Sequence, residues 1–156
     1  MDLILWRHAE AEDARPGQGD LDRALTPKGR QQAERMAQWL NQRLAGSTRV
    51  LASPARRTQQ TAQALGRAFD SVAPLAPGAA PKTLLDVAGW PDSPQPVLIV
   101  GHQPTLGQLA ALLLAGRHRA GRSARPASGG CARATARPAW CCRRCRRPIG
   151  SEYPLP

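Results

Sequence analysis

A short apolar run that stops abruptly at polar residues, with a proline-opened helix after it, occurs three times in this chain and restricts its fold more than any other feature. The first run is Leu3 to Trp6, ending in Arg7-His8, the pattern of a strand buried on both faces whose tip reaches solvent. A polar, Gly/Pro-containing loop over Asp13 to Ala24 follows. Thr26-Pro27 then supplies an N-cap and a proline at the first helical position. Ala33, Met36, Ala37, Leu40 and Leu44 recur at helical spacing, which predicts a helix from about Pro27 to Leu44, before Gly46. Arg49 to Ala52 is a second strand, and Ser53-Pro54 repeats the cap-then-proline device ahead of a helix carrying Thr58, Ala62, Leu65 and Phe69 on one face. Residues 71–96 are rich in Pro, Ala and Gly, with one weak helical patch near Lys82 to Val87. Val97 to Val100 is a third buried strand. It leads through Gly101-His102-Gln103-Pro104 into a helix with Leu106, Leu109, Ala110 and Leu113 in phase before Gly116.

Strands alternating with helices predict an α/β fold, with a mainly parallel sheet joined by right-handed crossovers and covered on both faces. In such sheets ligands sit outside the carboxyl ends of the strands. Arg7-His8, Ser53 to Arg57 and Gly101-His102 each follow a strand, so all three clusters are expected at one rim.

The net charge of +11 suggests a nucleic-acid or membrane partner until the chain is divided at Gly116. Residues 1–116 hold 12 Lys+Arg and 10 Asp+Glu, whereas residues 117–156 hold 10 Arg and one Glu. The basicity belongs to the tail. All four cysteines (Cys131, Cys141, Cys142 and Cys145) lie there too, so the body reads as a reduced, cytoplasmic domain with no disulfide framework. No apolar run approaches the roughly 18 residues of a membrane helix, and Met1 to His8 lacks the basic start of a secretory signal. Neither membrane insertion nor export is expected.

Two histidines and two or more arginines on one sheet edge form a cationic pocket. Arg is the side chain best shaped for forked bonds to phosphate oxygens. A histidine with an ordinary pKa near ~6.5 is available as a neutral nucleophile toward phosphorus, and the arginines neutralise the equatorial oxygens as the phosphoryl group moves. This scheme needs no metal and no cofactor, and the body has no metal-spaced cluster and no GxxxxGK[ST] loop. Singly, His8 reads as a strand-end residue, His102 as part of a turn and Arg57 as a solvated helix residue. Three junctions of the same chemical type outweigh those readings.

Arg7-His8-Ala9, Leu25-Thr26-Pro27-Lys28-Gly29, Ser53-Pro54-Ala55-Arg56-Arg57-Thr58-Gln59-Gln60-Thr61-Ala62 and Gly101-His102-Gln103-Pro104 together resemble the histidine phosphatase superfamily, in particular its SixA-type phosphohistidine phosphatases. The resemblance covers roughly residues 1–116, with Ala9 standing where the family usually has Gly. It implies a phosphoglycerate mutase-like three-layer α/β/α fold. It further implies that His8 is the nucleophile, that Arg7 and Arg57 grip the phosphoryl group, with Arg56 a lesser candidate, and that His102 hydrogen-bonds its oxygens. Larger members that act on phosphomonoesters add a carboxylate general acid, because an alkoxide must be protonated as it leaves. Asp86, Asp20 and Asp22 are the candidates here, each also readable as a solvated loop acid. A phosphohistidine substrate eases that need, and a short chain implies an open rim. The implied partner is therefore a histidine-phosphorylated protein, such as a phosphotransfer domain. A small-molecule phosphomonoesterase or mutase, and a non-catalytic phosphate- or nucleic-acid-binding module, are the alternatives.

The tail departs from this pattern. Residues 117–156 show no periodic apolar face where the family would supply another strand, so that C-terminal strand is expected to be missing. A basic arm for nucleic acid and a zinc site at Cys131, Cys142 and Cys145 are two readings of the tail. A third is an altered reading frame in a GC-rich gene, and the abrupt step to Arg, Ala, Pro, Gly and Cys favours it.

Overall fold

In the computed structural model, which describes residues 2–115 and the short strand Ala136–Pro138, the repeated units assemble into one parallel sheet. Strands β1 (Leu3–Arg7), β2 (Arg49–Ala52), β3 (Asp70–Ser71), β4 (Val97–Gly101) and β5 (Ala136–Pro138) stand in the order β3-β2-β4-β1-β5. The central strand β4 pairs Val97 with Leu3 and Arg49, and Val100 with Trp6 and Ala52. All five of its residues are buried, because helices cover both faces of the sheet.

Side chains of β4 alternate between two cores, as strand geometry requires. Val97 and Ile99 pack with Leu3, Leu5, Leu84, Leu106 and Leu109, beneath α3 (Pro81–Ala88) and α4 (Thr105–Leu114). Leu98 and Val100 pack with Trp6, Ala37, Leu40, Val50 and Ala62, beneath α1 (Pro27–Asn41) and α2 (Arg56–Gln63). The architecture is three layers, α/β/α, around a parallel sheet. Among the described residues no helix is long and apolar enough to cross a membrane.

Thr26 caps α1 as its sequence suggests, its Oγ1 accepting the Gly29 N–H at 2.9 Å, with Pro27 following. The helix stops at Asn41, three residues before the expected end. The Asn41 amide there donates to Leu65 O at 2.8 Å and accepts from Arg67 Nε at 2.7 Å, while Leu44 still packs on the core. The helix expected from Ser53-Pro54 begins instead at Arg56, capped by Ala55 without a side-chain bond, because the Ser53 hydroxyl is engaged with His102. It ends at Gln63, short of Phe69, as the chain turns through Gly66 at φ +64°. The weak patch near Lys82 is α3.

Where the composition of the tail suggests that a strand is missing, Ala136–Pro138 pairs in parallel with Leu3 to Leu5 at the sheet edge. Ladder bonds come from the backbone and need no apolar face, and an edge position tolerates proline. The other tail residues, including the four cysteines and the sites suggested for them, lie outside the described residues.

Candidate active site

Because the strands are parallel, the segments leaving β1, β2 and β4 emerge at the same end, and ladder bonds carry their register past the strands. The His8 N–H donates to Gly101 O and the Ser53 N–H to Val100 O, each at 3.1 Å. His8 and His102 are thereby brought to a ring-centroid separation of 5.3 Å, inclined at 57°. Arg7, His8, Asp20, Arg23, Arg57 and His102 are among the residues lining an open cavity of about 690 Å³.

His8 has a defined tautomer. Its Nδ1 lies 2.7 Å from Ala9 O, and a carbonyl can only accept, so Nδ1 carries the proton and Nε2 the lone pair. The loop behind the ring is held by the Ala9 N–H donating to Thr61 Oγ1 at 3.2 Å, while that hydroxyl donates to Arg57 O at 2.7 Å. Burial holds His8 below the ordinary 6.5 against the opposing bond to Ala9, and the charges of Arg57 and Arg7 add to the lowering.

His102 is buried between Ser53 and Arg57. Its Nε2 lies 2.7 Å from Ser53 Oγ and its Nδ1 3.4 Å from Arg57 Nη2. A guanidinium only donates, so Nδ1 accepts and Nε2 is the protonated nitrogen, donating to Ser53. Burial, reinforced by the positive charge of Arg57, pushes His102 down to about 4, which agrees with this neutral form. Thr58 fixes the turn below, its hydroxyl reaching Ser53 O at 2.9 Å and Ala55 O at 2.6 Å.

Arg57 is 3% exposed, whereas its neighbour Arg56 points to solvent and lies off the cavity, so the structure separates the two candidates. Both terminal nitrogens of Arg57 donate to Asp20, Nη1 to the main-chain oxygen and Nη2 to Oδ2 at 2.8 Å, while Nε has no partner. The bond from Arg57 is the main reason that the Asp20 carboxyl lies below the usual range for aspartate. Arg23 in turn donates from Nε to Asp20 Oδ1 and from Nη1 to Glu12 O, each at 2.9 Å. Asp86 and Asp22 are exposed and line no part of the cavity.

The structure thus brings together Arg7, His8, Ser53, Arg57 and His102, draws in Asp20 alone of the three aspartates considered, and adds Thr61 and Arg23. Ser53 was findable, since it too follows a strand. Arg23 carries no such signal, because its place is set by the loop fold alone. Among the described residues no group of three or more His, Cys, Asp or Glu converges as a metal centre.

Comparison with known proteins adds an independent line. The model of the histidine phosphatase superfamily (branch 1) matches residues 3–78. A Haemophilus influenzae protein named as a phosphohistidine phosphatase SixA homolog is 31% identical over 134 residues, covering 76% of this chain and 80% of that one. The solved structure of an Agrobacterium tumefaciens protein assigned to phosphohistidine phosphatase SixA superposes with a TM-score of 0.63 at 32% identity, covering 71% of this chain and 75% of that one. The protein histidine phosphatase SixA complexed with tungstate gives 0.61 at 28%, covering 70% and 75%.

Proposed function

The chain belongs to the histidine phosphatase superfamily, and on that premise we propose that it is a phosphohistidine phosphatase acting on histidine-phosphorylated proteins through a phosphohistidine on His8. The observation that carries this reading is the fixed tautomer of His8. With Nδ1–H donated to Ala9 O, the Nε2 lone pair belongs to a neutral ring at the cavity wall.

In the first step Nε2 of His8 attacks phosphorus, a P–N bond forms on the enzyme, and the P–N bond of the substrate breaks with its electron pair returning to the departing imidazole. Water then attacks the phosphorylated His8, inorganic phosphate leaves, and the lone pair returns to Nε2. Arg7 and Arg57 neutralise the equatorial oxygens as charge shifts across them. His102 Nδ1, an acceptor, exchanges its contact with Arg57 for the hydroxyl proton of a monoprotonated phosphoryl group. Residues 1–116 carry the catalytic groups in this reading, and the basic segment 117–156 lends their sheet its edge strand, Ala136–Pro138.

The substrate class follows from the carboxylates. Asp20 is held ionised by Arg57 and has no proton to give an alkoxide, and Glu10 is engaged by Thr26 and Lys28. A leaving imidazole needs no such proton once its distal nitrogen carries one. A peptide bearing phosphohistidine, labelled with radioactive phosphate and quenched in alkali, tests the proposal. Label is expected on His8 and lost in His8→Ala. Label on another residue, or undiminished turnover by the Ala variant, overturns it.

A further inference from the structure

A carboxylate beside the arginine that grips phosphate weakens that grip, so the placement of Asp20 calls for a role of its own. Asp20 opens a single helical turn, Asp20–Asp22, on the loop between β1 and α1, and its side chain remains 53% exposed while lining the cavity. Arg57 and Arg23 pin it from two sides, one on each carboxylate oxygen. Oδ1 lies 2.9 Å from both Nε and Nη2 of Arg23, so the acceptor site still available is the second lone pair of Oδ2.

We infer that Asp20 is a specificity-determining residue that accepts a hydrogen bond from the distal ring N–H of a phosphorylated imidazole, selecting a substrate whose bound ring is cationic over an ester that carries no such charge. This rests on the phosphohistidine reading above and names the group that reads the ring. The chemistry is asymmetric between substrates. A phosphoimidazole whose distal nitrogen is protonated carries positive charge on the ring and departs as neutral imidazole, its distal N–H unchanged. Asp20 gives up and takes no proton in that step; it holds the ring in line with His8 and favours the protonated form. A phosphomonoester offers no N–H and no positive charge, and meets in Asp20 only repulsion toward its phosphate.

The charges around Asp20 agree. Three arginines, Arg7, Arg23 and Arg57, line the cavity with two carboxylates, Asp20 and Glu10, and Glu10 is already bonded to Thr26 and paired with Lys28. Arg23 is bonded to Asp20 and Glu12 in the empty site, so it secures the carboxylate and leaves the phosphoryl group to the others.

Asp20→Asn tests this, because the amide oxygen can still accept from Arg57 while the charge, and with it the acceptor facing Arg23, is lost. With phosphoimidazole and p-nitrophenyl phosphate as the two substrates, kcat/KM for phosphoimidazole should fall about tenfold in the variant, the usual effect of losing a charge-assisted bond. The value for p-nitrophenyl phosphate, which has no N–H and a stable anionic leaving group, should fall by less or rise, so that the ratio of the two values drops, and an unchanged urea midpoint shows that the variant folded. Asp20→Glu should restore part of the ratio. An equal fall on both substrates overturns the inference in favour of a role in positioning Arg57, and an unchanged ratio overturns it outright. A wild-type protein that hydrolyses p-nitrophenyl phosphate but leaves phosphoimidazole intact overturns the phosphohistidine reading and this inference with it.

Discussion

Replacing Gly29 by alanine should damage the site although Gly29 contacts no substrate. Gly29 is buried in the first turn of α1, where a Cβ would fall 2.0 Å from Glu10 O and 2.9 Å from Glu10 C, against a closest tolerable approach of 3.0 Å. Backbone must therefore move by about 1 Å, and there is no flexible side chain to absorb it. Glu10 O accepts the Thr26 N–H at 3.1 Å, and the Glu10 N–H donates to Gln32 Oε1 at 3.2 Å, so this contact is the strut holding the segment two residues beyond His8. Alanine gains about 1 kcal/mol of helix propensity. Against that stand roughly 1–3 kcal/mol of overpacking and about 1 kcal/mol for a strained or lost backbone bond. Net destabilisation of about 1–3 kcal/mol follows, and displacement of the nucleophile by that distance should lower kcat on the order of 100-fold. Urea denaturation read against initial rates on p-nitrophenyl phosphate measures both. Gly46→Ala is the control, since a Cβ there meets nothing within 4 Å, and its effect should stay within about 0.5 kcal/mol. A Gly29→Ala protein about 1 kcal/mol more stable than wild type, with unchanged kcat, would refute the reasoning.

Four further outcomes follow from the same geometry. Ser53→Ala leaves the buried Nε2–H of His102 without its acceptor, and should cost about 1–3 kcal/mol in urea denaturation; a threonine in its place should retain most of that stability. Arg57→Lys removes the forked donor pair, and kcat/KM should drop by about 100-fold or more; near-normal kinetics of the lysine variant would contradict its assigned grip. On acidification, His8 stays neutral below the 6.5 of a free imidazole, so the acid limb of kcat/KM should lie below that value. Stability has its own window. The unfolded chain protonates His102 near 6.5 while the folded one resists to about 4, so urea midpoints should fall as pH drops between these values. The contribution of Asp20, whose folded pKa is depressed, is lost only below 3.8.

The parts of the fold that were legible are those where one physical demand dominates. Val97 to Val100 reads as a strand because both faces are buried, and Thr26-Pro27 reads as a helix start because the cap accepts one orphan N–H, that of Gly29, and proline removes another. The rim of the sheet then follows from parallel topology, and with it His8, Arg57 and His102. Less legible were elements set by contacts distant in sequence. The strand β3 is two exposed residues with no apolar signature, and β5 forms in a stretch chosen by ladder bonds rather than by hydrophobicity. Ser53 was misread for a physical reason, since a hydroxyl before proline suits a helix cap and an acceptor for His102 equally well. Asp20 and Arg23 meet Arg57 only because the loop between β1 and α1 folds back over the rim.

On the proposed mechanism the same arginines serve binding and activation, which would explain a cluster that otherwise looks costly. Packing two imidazoles among guanidinium groups would be prohibitive if the rings were charged, and burial together with Arg57 keeps both below their ordinary values. A neutral His8 is the form with a free lone pair, so the field that attracts a phosphoryl anion also keeps the nucleophile ready to attack it. Phosphorylation reverses the balance. The group transferred to His8 carries negative charge, and the cations that disfavoured an imidazolium now favour the phosphorylated ring. On the proposed reaction the site is electrostatically complementary to the phosphorylated intermediate, and Asp20, bonded to Arg57 and Arg23, is the cavity carboxylate proposed to address the part of the substrate that departs.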